Sequence, residues 1–296
     1  MRVRKADCVP GLSRRLFLAG AVGMAAIEAS GAKATAAARF ADIEQRLNVR
    51  LGVAALNTAN GAWLRHRADE RFAMCSTFKW IMVALALRRI EAGDLRLDRR
   101  INYSSSDLLE YAPVARANVA RGWLSIEELC AASVQVSDNT AANLLLDVVG
   151  GPSGVTQFIR SIGDTVTRLD RREPELNENV AGDPRDTTTP DAMATTARAL
   201  LLGKTLSQQS RDRLIGWMIT STRGLDRLRA GLPASWRVGT KAGTGPNGAL
   251  NDVAIAWPPH HAPILVASYI SGGSIDSVAR SAGQADVARV IAAAWS

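Results

Sequence analysis

The chain places strand-forming segments at both of its ends and helix-forming segments between them, and this order limits the fold more than any other feature. Near the amino end, two short apolar segments flank the turn signal Asn60-Gly61, which predicts a pair of strands. Strands from both ends of a chain are expected to share one antiparallel sheet, with the helical middle inserted as a lobe. The predicted strands are residues 51–56, 62–67, 236–244, 252–257 and 264–270, and a terminal helix is predicted over 277–294.

A further helix is predicted ahead of the first strand, because Phe40, Ile43 and Leu47 recur at helical spacing. The predicted fold class is therefore α+β, a five-stranded antiparallel sheet flanked by helices and carrying an inserted all-helical lobe. The α/β lobe is expected over about 39–68 and 220–296, and the helical lobe over about 69–219.

The middle of the chain contains one clear helix signal and one long loop. Thr189-Pro190-Asp191 supplies a cap, a first-turn proline and an acidic residue for a helix over 193–202, and Gly203 ends it. Residues 164–189 are polar and sparsely apolar, which predicts a loop. Loops of this length inside a compact domain usually have a function.

The first 38 residues have the composition of an export signal. Ser13-Arg14-Arg15-Leu16-Phe17-Leu18 is similar to a twin-arginine signal, and an apolar stretch over 16–27 and a small-residue segment over 32–38 follow. The apolar stretch is too short for a stable membrane anchor. We therefore expect the twin-arginine machinery to export the chain. After the signal is cleaved, residues 39–296 should remain as a periplasmic or secreted protein made of the α/β lobe and the helical lobe.

Charge and histidine content exclude two classes of function. The formal net charge of the 296 residues is +8, and residues 1–38 hold six Lys or Arg and two acidic residues, a net +4. About half of the charge thus lies in the signal, and the rest forms no basic block, so no nucleic acid partner is expected. His66, His260 and His261 lack the spacing of a zinc site, so we expect neither a metal nor another cofactor.

Ser76 and Lys79 stand three residues apart at the start of an apolar helical stretch that reaches about Glu91. This spacing puts the hydroxyl and the amine on one helix face. A serine hydroxyl is a poor nucleophile until a base takes its proton, and a neighbouring lysine can be that base. The pair is a candidate acyl-transfer site that needs no histidine, although a capping serine beside an exposed lysine would match the same pattern.

Three further motifs follow in order: Ser137-Asp138-Asn139, the run Arg172-Glu173-Pro174-Glu175-Leu176-Asn177, and Lys241-Ala242-Gly243-Thr244-Gly245. Together with Ser76 and Lys79 they resemble the motif set of class A serine β-lactamases. The resemblance extends from about residue 40 to the carboxyl end. It implies hydrolysis of the β-lactam amide of penicillins and cephalosporins, with these drugs as the small-molecule partners.

The resemblance implies a role for each residue of the acylation machinery. Ser76 is the nucleophile, and the backbone N–H groups of Ser76 and Thr244 form the oxyanion hole. Lys79 accepts or relays the serine proton, and Ser137 passes a proton to the departing ring nitrogen. Asn139 binds the side-chain amide of the substrate and helps to hold Lys79. A helix cap is the structural alternative for the Ser137-Asp138-Asn139 run, and the two roles are compatible.

Glu173 distinguishes a hydrolase from its relatives. In the family resembled, this glutamate and the asparagine at Asn177 hold a water that cleaves the acyl-enzyme ester. Arg171 and Asp186 occupy the positions where the family closes the base of this loop with an ion pair. Whether Lys79 or Glu173 is the base of the first step stays open.

The substrate-binding residues implied by the resemblance lie in two regions, and the chain departs from the family in one of them. Lys241 and Thr244 border the cleft and attract the substrate carboxylate, while Tyr111 is either a cleft wall or a core residue. The family usually has Thr or Ser at Ala242 and often an arginine at Leu250. Arg227 is the candidate replacement, with a solvated arginine as the alternative.

The cysteine positions predict a chain without the disulfides of its relatives. Some relatives bridge the positions of Cys130 and Val83, and others bridge those of Cys75 and Gly245; neither pair is two cysteines here. A bridge from Cys75 to Cys130 stays open.

The rival functions are a penicillin-binding D-Ala-D-Ala peptidase, which lacks the equivalent of Glu173, and a covalent β-lactam sensor, which needs a membrane link. A monomer is expected.

Overall fold

The computed structural model describes residues 34–295, and its elements follow the order expected from the sequence. The helices are α1 (34–47), α2 (Lys79–Glu91), α3 (Pro113–Ala117), α4 (Ile126–Gln135), α5 (Asn139–Val149), α6 (Gly151–Ser161), α7 (Pro190–Ala197), α8 (Gln208–Ile219), α9 (Leu228–Gly231) and α10 (Ser277–Trp295). The strands are β1 (Arg50–Asn57), β2 (Trp63–His66), β3 (Phe72–Ala73), β4 (Arg100–Asn102), β5 (Trp123–Ser125), β6 (Thr187–Thr188), β7 (Arg237–Thr244), β8 (Leu250–Trp257) and β9 (Ile264–Ser271).

Five strands form one antiparallel sheet in the order β2-β1-β9-β8-β7, which confirms the predicted fold class. The two chain ends meet where β1 pairs with β9, from Arg50 opposite Ser271 to Asn57 opposite Ile264. Because side chains alternate across a strand, each of these strands contributes to two cores. On β1, Val53 packs with the core under α1 and α10, whereas Ala54 packs with the core of the helical lobe.

Helix α2 lies at the centre of the helical lobe. Its residues from Lys79 to Leu87 are all buried, so the helix is apolar on every side except where Lys79 enters the site. The neighbouring helices begin at capping residues: Ser125 forms a capping box with Glu128, and the Asp138 carboxylate accepts the backbone N–H of Ala141. This packing fixes the start of α2 relative to the edge strand β7.

The predictions and the structure differ at the ends of elements and in two short two-stranded sheets, β3-β6 and β4-β5, that lie within the part predicted to be all-helical. The strand predicted over 62–67 spans Trp63–His66, and the strand predicted from 252 begins at Leu250. The helix predicted over 193–202 begins at Pro190 and continues as a π-helix over Arg198–Leu202. The predicted signal lies almost wholly outside the described residues, and α1 begins at 34, inside the predicted 1–38.

Cys75 and Cys130 are both free and buried, so the bridge between them that the sequence left open does not form. Burial raises the pKa of the Cys75 thiol to about 12 and raises that of Cys130 as well. Both thiols therefore stay protonated near neutrality and pack as small apolar groups. Within residues 34–295, no helix combines the length and the apolarity needed to cross a bilayer.

Candidate active site

Ser76 lies in a 3-10 turn, Cys75–Phe78, that runs directly into α2. Residue Cys75 of this turn has a positive φ of 46°, a strained conformation that non-glycine residues rarely adopt. Strand β7 approaches the turn closely at Gly243, where an added Cβ would lie 2.8 Å from the Met74 carbonyl oxygen and 3.2 Å from the Ser76 nitrogen. The glycine thus allows the nucleophile turn and the edge strand to form the two sides of one cleft.

Ser76 and Lys79 meet at one oxygen of Glu173. The Ser76 hydroxyl donates to Glu173 Oε1 at 3.2 Å, and Lys79 Nζ lies 2.8 Å from the same oxygen. The side chains of Lys79 and Glu173 are fully buried. Burial lowers the pKa of Lys79, and the charge of Glu173 opposes that shift. Proton transfer between hydroxyl, amine and carboxylate therefore needs only short movements.

Ser137 lies between two buried amines. Lys79 Nζ donates to the Ser137 carbonyl oxygen at 2.9 Å and to its hydroxyl at 3.4 Å, and Lys241 Nζ donates to the same hydroxyl at 3.0 Å. Lys79 also donates to Asn139 Oδ1 at 2.6 Å. Ser137 has a φ of 63°, which directs its side chain into the cleft from the turn before α5. The cap of α5 is Asp138, so capping and the polar network coexist in this run.

Burial lowers the pKa of Lys241 well below its ordinary value, and the like charge of Lys79 adds to this shift. Lys241 Nζ also donates to the Ala242 carbonyl oxygen at 2.7 Å. Two amines with lowered pKa on either side of one hydroxyl form a route along which a proton can pass.

Glu173 is held in place from both sides. Asn177 Nδ2 donates to Glu173 Oε2 at 2.5 Å and to the Pro174 carbonyl oxygen at 2.9 Å. Asn143 on α5 donates to the Glu173 carbonyl oxygen at 2.9 Å and accepts its backbone N–H at 3.1 Å. The sequence pointed to Glu173 and Asn177 but not to Asn143, which lies mid-helix and has no local signal. Asn177 therefore fixes the carboxylate of Glu173, and Asn143 on α5 fixes its backbone.

Arg171 and Asp186 form an ion pair at the base of the loop. Arg171 Nε lies 2.6 Å from Asp186 Oδ2, and Asp186 Oδ1 accepts the backbone N–H groups of Asp170 at 2.7 Å and of Arg171 at 2.9 Å. The Asp186 carbonyl oxygen accepts the Met74 N–H at 2.9 Å. This last bond joins the loop to the nucleophile turn, so the loop base and the position of Ser76 depend on each other.

Arg227 enters the cleft from the loop before α9 and binds the end of β7. Its guanidinium donates to the carbonyl oxygens of Gly243 and Asn251 at 2.8 Å each and to Thr244 Oγ1 at 2.7 Å. The residue is buried, not a solvated arginine. Because Thr244 Oγ1 accepts from Arg227, its own hydrogen is free to donate into the cleft.

The small side chain of Ala242 leaves space for the loop that carries Arg227. An added Cβ on Gly224 would lie 2.7 Å from Ala242 Cβ and 3.2 Å from Arg227 Cδ, so the backbone at Gly224 packs directly on Ala242. A larger residue at 242 would push against this loop. The small side chain and the buried arginine are thus two parts of one packing arrangement.

The cleft between these elements has a volume of about 210 Å³. Tyr111 is 39% exposed, which places its ring on the cleft wall and not in the core. The sequence did not indicate Arg223, which lies on the rim opposite. The lining residues are Ser76, Tyr111, Ser137, Asn139, Asn177, Arg223, Arg227, Ala242 and Thr244. Over residues 34–295, no group of three His, Cys, Asp or Glu side chains is arranged to hold a metal ion.

Asp252 is a fully buried carboxylate behind the cleft that the sequence did not reveal. It lies on β8 directly opposite Ala242. Burial raises its pKa to about 7, and the charges of Arg227 and Lys241 oppose that rise. The other groups that face it are the Leu228 backbone N–H and Arg229. Asp252 therefore changes its protonation near neutral pH.

We expect Asp252→Asn to change how stability depends on pH. The folded-state pKa lies above the unfolded value, so the folded protein binds more protons, and the free energy of unfolding falls as the pH rises from about 4 to about 7. The asparagine variant lacks this fall. Between pH 5 and pH 8 its free energy of unfolding should increase by about 2 kcal/mol relative to the wild type, measured in urea. A constant difference across this range would contradict the assignment.

Comparisons with known proteins show the family of the chain. Residues 35–295 match a family described as "Beta-lactamase enzyme family". Beta-lactamase AST-1 of Nocardia asteroides is 44% identical over 272 residues, which cover 92% of this chain and 87% of the relative. Beta-lactamase L2 of Stenotrophomonas maltophilia is 46% identical over 276 residues, which cover 93% and 91%.

Solved structures resemble the whole arrangement. An ancestral (GNCA) β-lactamase of class A has a TM-score of 0.87 at 53% identity, covering 88% of this chain and 100% of that one. A β-lactamase from Xanthomonas campestris has a TM-score of 0.88 at 45% identity, covering 90% and 99%. The similarity therefore includes both lobes and the cleft between them.

Proposed function

We infer the chemistry of this chain from its family: it belongs to the beta-lactamase enzyme family, as a class A member that hydrolyses the β-lactam amide and so confers β-lactam resistance. The assignment of steps to residues is our proposal. The observation that carries it is the single Glu173 oxygen that both the Ser76 hydroxyl and the Lys79 amine contact. A nucleophile, an amine and a carboxylate in mutual contact support formation and breakdown of an ester at one place.

In the first step, Ser76 Oγ attacks the lactam carbonyl carbon and its proton leaves toward Lys79 or Glu173. The carbon–nitrogen bond then breaks, and the Ser137 hydroxyl gives its proton to the ring nitrogen. Ser137 is resupplied through the amines of Lys79 and Lys241, which both contact its oxygen. The backbone N–H groups of Ser76 and Thr244 stabilise the negative charge on the carbonyl oxygen.

In the second step, a water held between Glu173 and Asn177 attacks the ester carbonyl. Glu173 takes the proton of the water as general base, the bond from the carbonyl carbon to the Ser76 oxygen breaks, and that oxygen regains the proton from Glu173, which it contacts. Two features support this proposal: Asn177 orients the carboxylate, and Asn177 Oδ1 is a buried acceptor without a protein partner among residues 34–295. A buried acceptor of this kind is satisfied by a water molecule.

Neither rival function explains why the Glu173 carboxylate is held beside Ser76. A D-Ala-D-Ala peptidase or a covalent sensor retains a long-lived acyl-enzyme with β-lactams, whereas a fixed carboxylate beside the ester serves to destroy it. The test is hydrolysis of a chromogenic cephalosporin by the purified protein, followed by its intact mass. Many turnovers with no lasting adduct support the proposal; one turnover with a stable adduct supports the rivals.

We propose that Arg227 and Thr244 anchor the substrate carboxylate with Lys241 nearby. The guanidinium is fixed by two carbonyl oxygens, so the Thr244 hydroxyl is aimed at the cleft. Hydrogen bonds to a charged group are worth roughly 1.5 to 3 kcal/mol. Tyr111 forms the opposite wall, and Asn139, which holds Lys79, also faces the cleft.

Arg227→Ala is expected to lower kcat/KM for carboxylate-bearing penicillins by about ten- to a hundredfold, because the Thr244 hydroxyl loses its orientation. Arg229→Ala is the matched control, since its guanidinium donates to the Ile219 and Val238 carbonyl oxygens outside the cleft. Steady-state kinetics on folded variants check the difference. Similar small losses in both variants would leave Lys241 as the main carboxylate contact.

We also propose that the twin-arginine machinery exports the chain to the periplasm or the medium, where it acts as a monomer. The support is the Arg14-Arg15 pair ahead of a short apolar stretch. Replacing Arg14 and Arg15 by lysine should leave unprocessed enzyme in the cytoplasm and abolish resistance in the host. Periplasmic activity at the wild-type level would indicate the general secretory route instead.

A further inference from the structure

Arg223 lies at the mouth of the cleft, over the ring of Tyr111. Its guanidinium carbon is 5.2 Å from the ring centroid, within the range of a cation–π contact. Tyr111 belongs to the segment before α3, and Arg223 to the segment between α8 and α9. Both residues line the cavity that contains Ser76. The contact therefore spans the cleft entrance from the helical lobe to the loop that holds Arg227.

Within the described part of the chain, no acidic side chain forms an ion pair with Arg223. The backbone N–H of Arg223 donates to Ser221 Oγ at 3.4 Å, and the exposed guanidinium contacts the Tyr111 ring. By contrast, Arg213, which lies outside the cleft near the ring of Trp217, pairs with Glu127. Arg223 thus presents a full positive charge toward the cleft.

Arg223 and Arg227 line the same cavity, so their like charges oppose each other. Burial lowers the pKa of Arg227, and the like charge of Arg223 lowers it further, while Asp252 and Asp226 oppose the shift. Two guanidinium groups of the same charge are unfavourable neighbours. An anion that enters between them removes this repulsion and gains hydrogen bonds to planar donors.

We propose that Arg223 is a specificity-determining residue that captures the carboxylate of the substrate at the cleft mouth and delivers it to Arg227 and Thr244. The Tyr111 ring holds the guanidinium at the entrance, so less rotational freedom is lost when the anion binds. The inference rests on the proposed anchoring of the carboxylate by Arg227. It adds a first contact, made before the substrate reaches Ser76.

The charge of Arg223 is tested with Arg223→Gln and with a pair of substrates, a penicillin and its methyl ester. Electrostatic capture changes association rates by roughly 10- to 1,000-fold, and at low salt we expect Arg223→Gln to lower kcat/KM for the carboxylate about tenfold, with kcat nearly unchanged. The loss should shrink at high salt. The methyl ester should be hydrolysed equally by variant and wild type. Arg223→Lys, which keeps the charge, should retain most of the activity.

Arg237→Gln is the matched control, because Arg237 also stacks on an aromatic ring, at 4.1 Å from the centroid of Trp257, but lies outside the cleft. It should leave kcat/KM and its salt dependence unchanged. Tyr111→Leu should reduce the salt-dependent part of kcat/KM on its own and add little to that part in the Arg223→Gln background, since the ring positions the guanidinium.

Equal losses on the carboxylate and the ester, or a loss that does not depend on salt, would overturn the assignment, because a packing defect affects both substrates alike. An unchanged kcat/KM in Arg223→Gln beside an active wild type would overturn it as well. If the wild type hydrolyses no β-lactam at all, the proposed function fails and the inference fails with it. These results are distinguishable in one set of steady-state measurements.

Discussion

Glu173→Gln is expected to lower the steady-state kcat for penicillins by about 10²- to 10⁴-fold, the usual contribution of a general base. The amide keeps the shape of the side chain but cannot take a proton from water. Loss of the carboxylate also removes the charge that raises the pKa of Lys79, so the amine becomes more often neutral. A neutral Lys79 can still accept the Ser76 proton, and acylation should continue.

The expected kinetic signature is a burst of one product per enzyme followed by slow turnover. Glu175→Gln is the matched control, since Glu175 is an exposed glutamate of the same loop. It should behave as the wild type does. If Glu173→Gln shows neither a burst nor turnover, Glu173 is instead the base of the first step. This result would answer the question that the sequence left open.

Ser76→Ala should abolish hydrolysis. In another serine hydrolase, removal of the nucleophile costs on the order of 10⁶ in kcat. Within residues 34–295, the Ser76 side chain makes one hydrogen bond, to Glu173, and buried apolar packing holds α2, so the variant should remain folded. Steady-state rates beside a urea unfolding curve measure both properties. Activity within tenfold of wild type in a folded Ser76→Ala variant would place the nucleophile elsewhere.

The sheet was predictable because its strands are apolar runs bounded by turn signals, and alternation fixes their faces. The ends of elements were less predictable. Leu250 extends β8 because it also pairs with Ile270 on β9, a partner twenty residues away that no local window contains. Similarly, the helix signals at Thr189 and Gly203 do not distinguish the π-helical turn over Arg198–Leu202 from a continued α-helix.

The candidate site was predictable where its residues form short motifs. Ser76 and Lys79 share one turn of chain, and Glu173 and Asn177 share another, so their pattern is visible locally. Asn143 and Asp252 were not visible, because each acts across a long separation on a residue whose position depends on the whole fold.

Arg223 shows the same limit at the surface. Nothing in its neighbourhood distinguishes it from Arg229, and only the folded chain brings it over the ring of Tyr111, which is 112 positions earlier. Arg229, six residues later, turns instead to the backbone of β7. The place of a residue on the cleft rim depends on how two distant segments lie relative to each other, which the sequence alone does not give.

The central claim is that an ester forms on Ser76 and that Glu173 removes it. The most direct measurement is mass spectrometry of Glu173→Gln protein quenched in acid seconds after mixing with excess penicillin, followed by peptide mapping. The account predicts one penicilloyl group per chain of the variant, attached to the peptide at Ser76. It predicts none on the wild type once the wild type has hydrolysed all of the penicillin. An adduct on any other residue, or no adduct in a variant that has lost turnover, would contradict it.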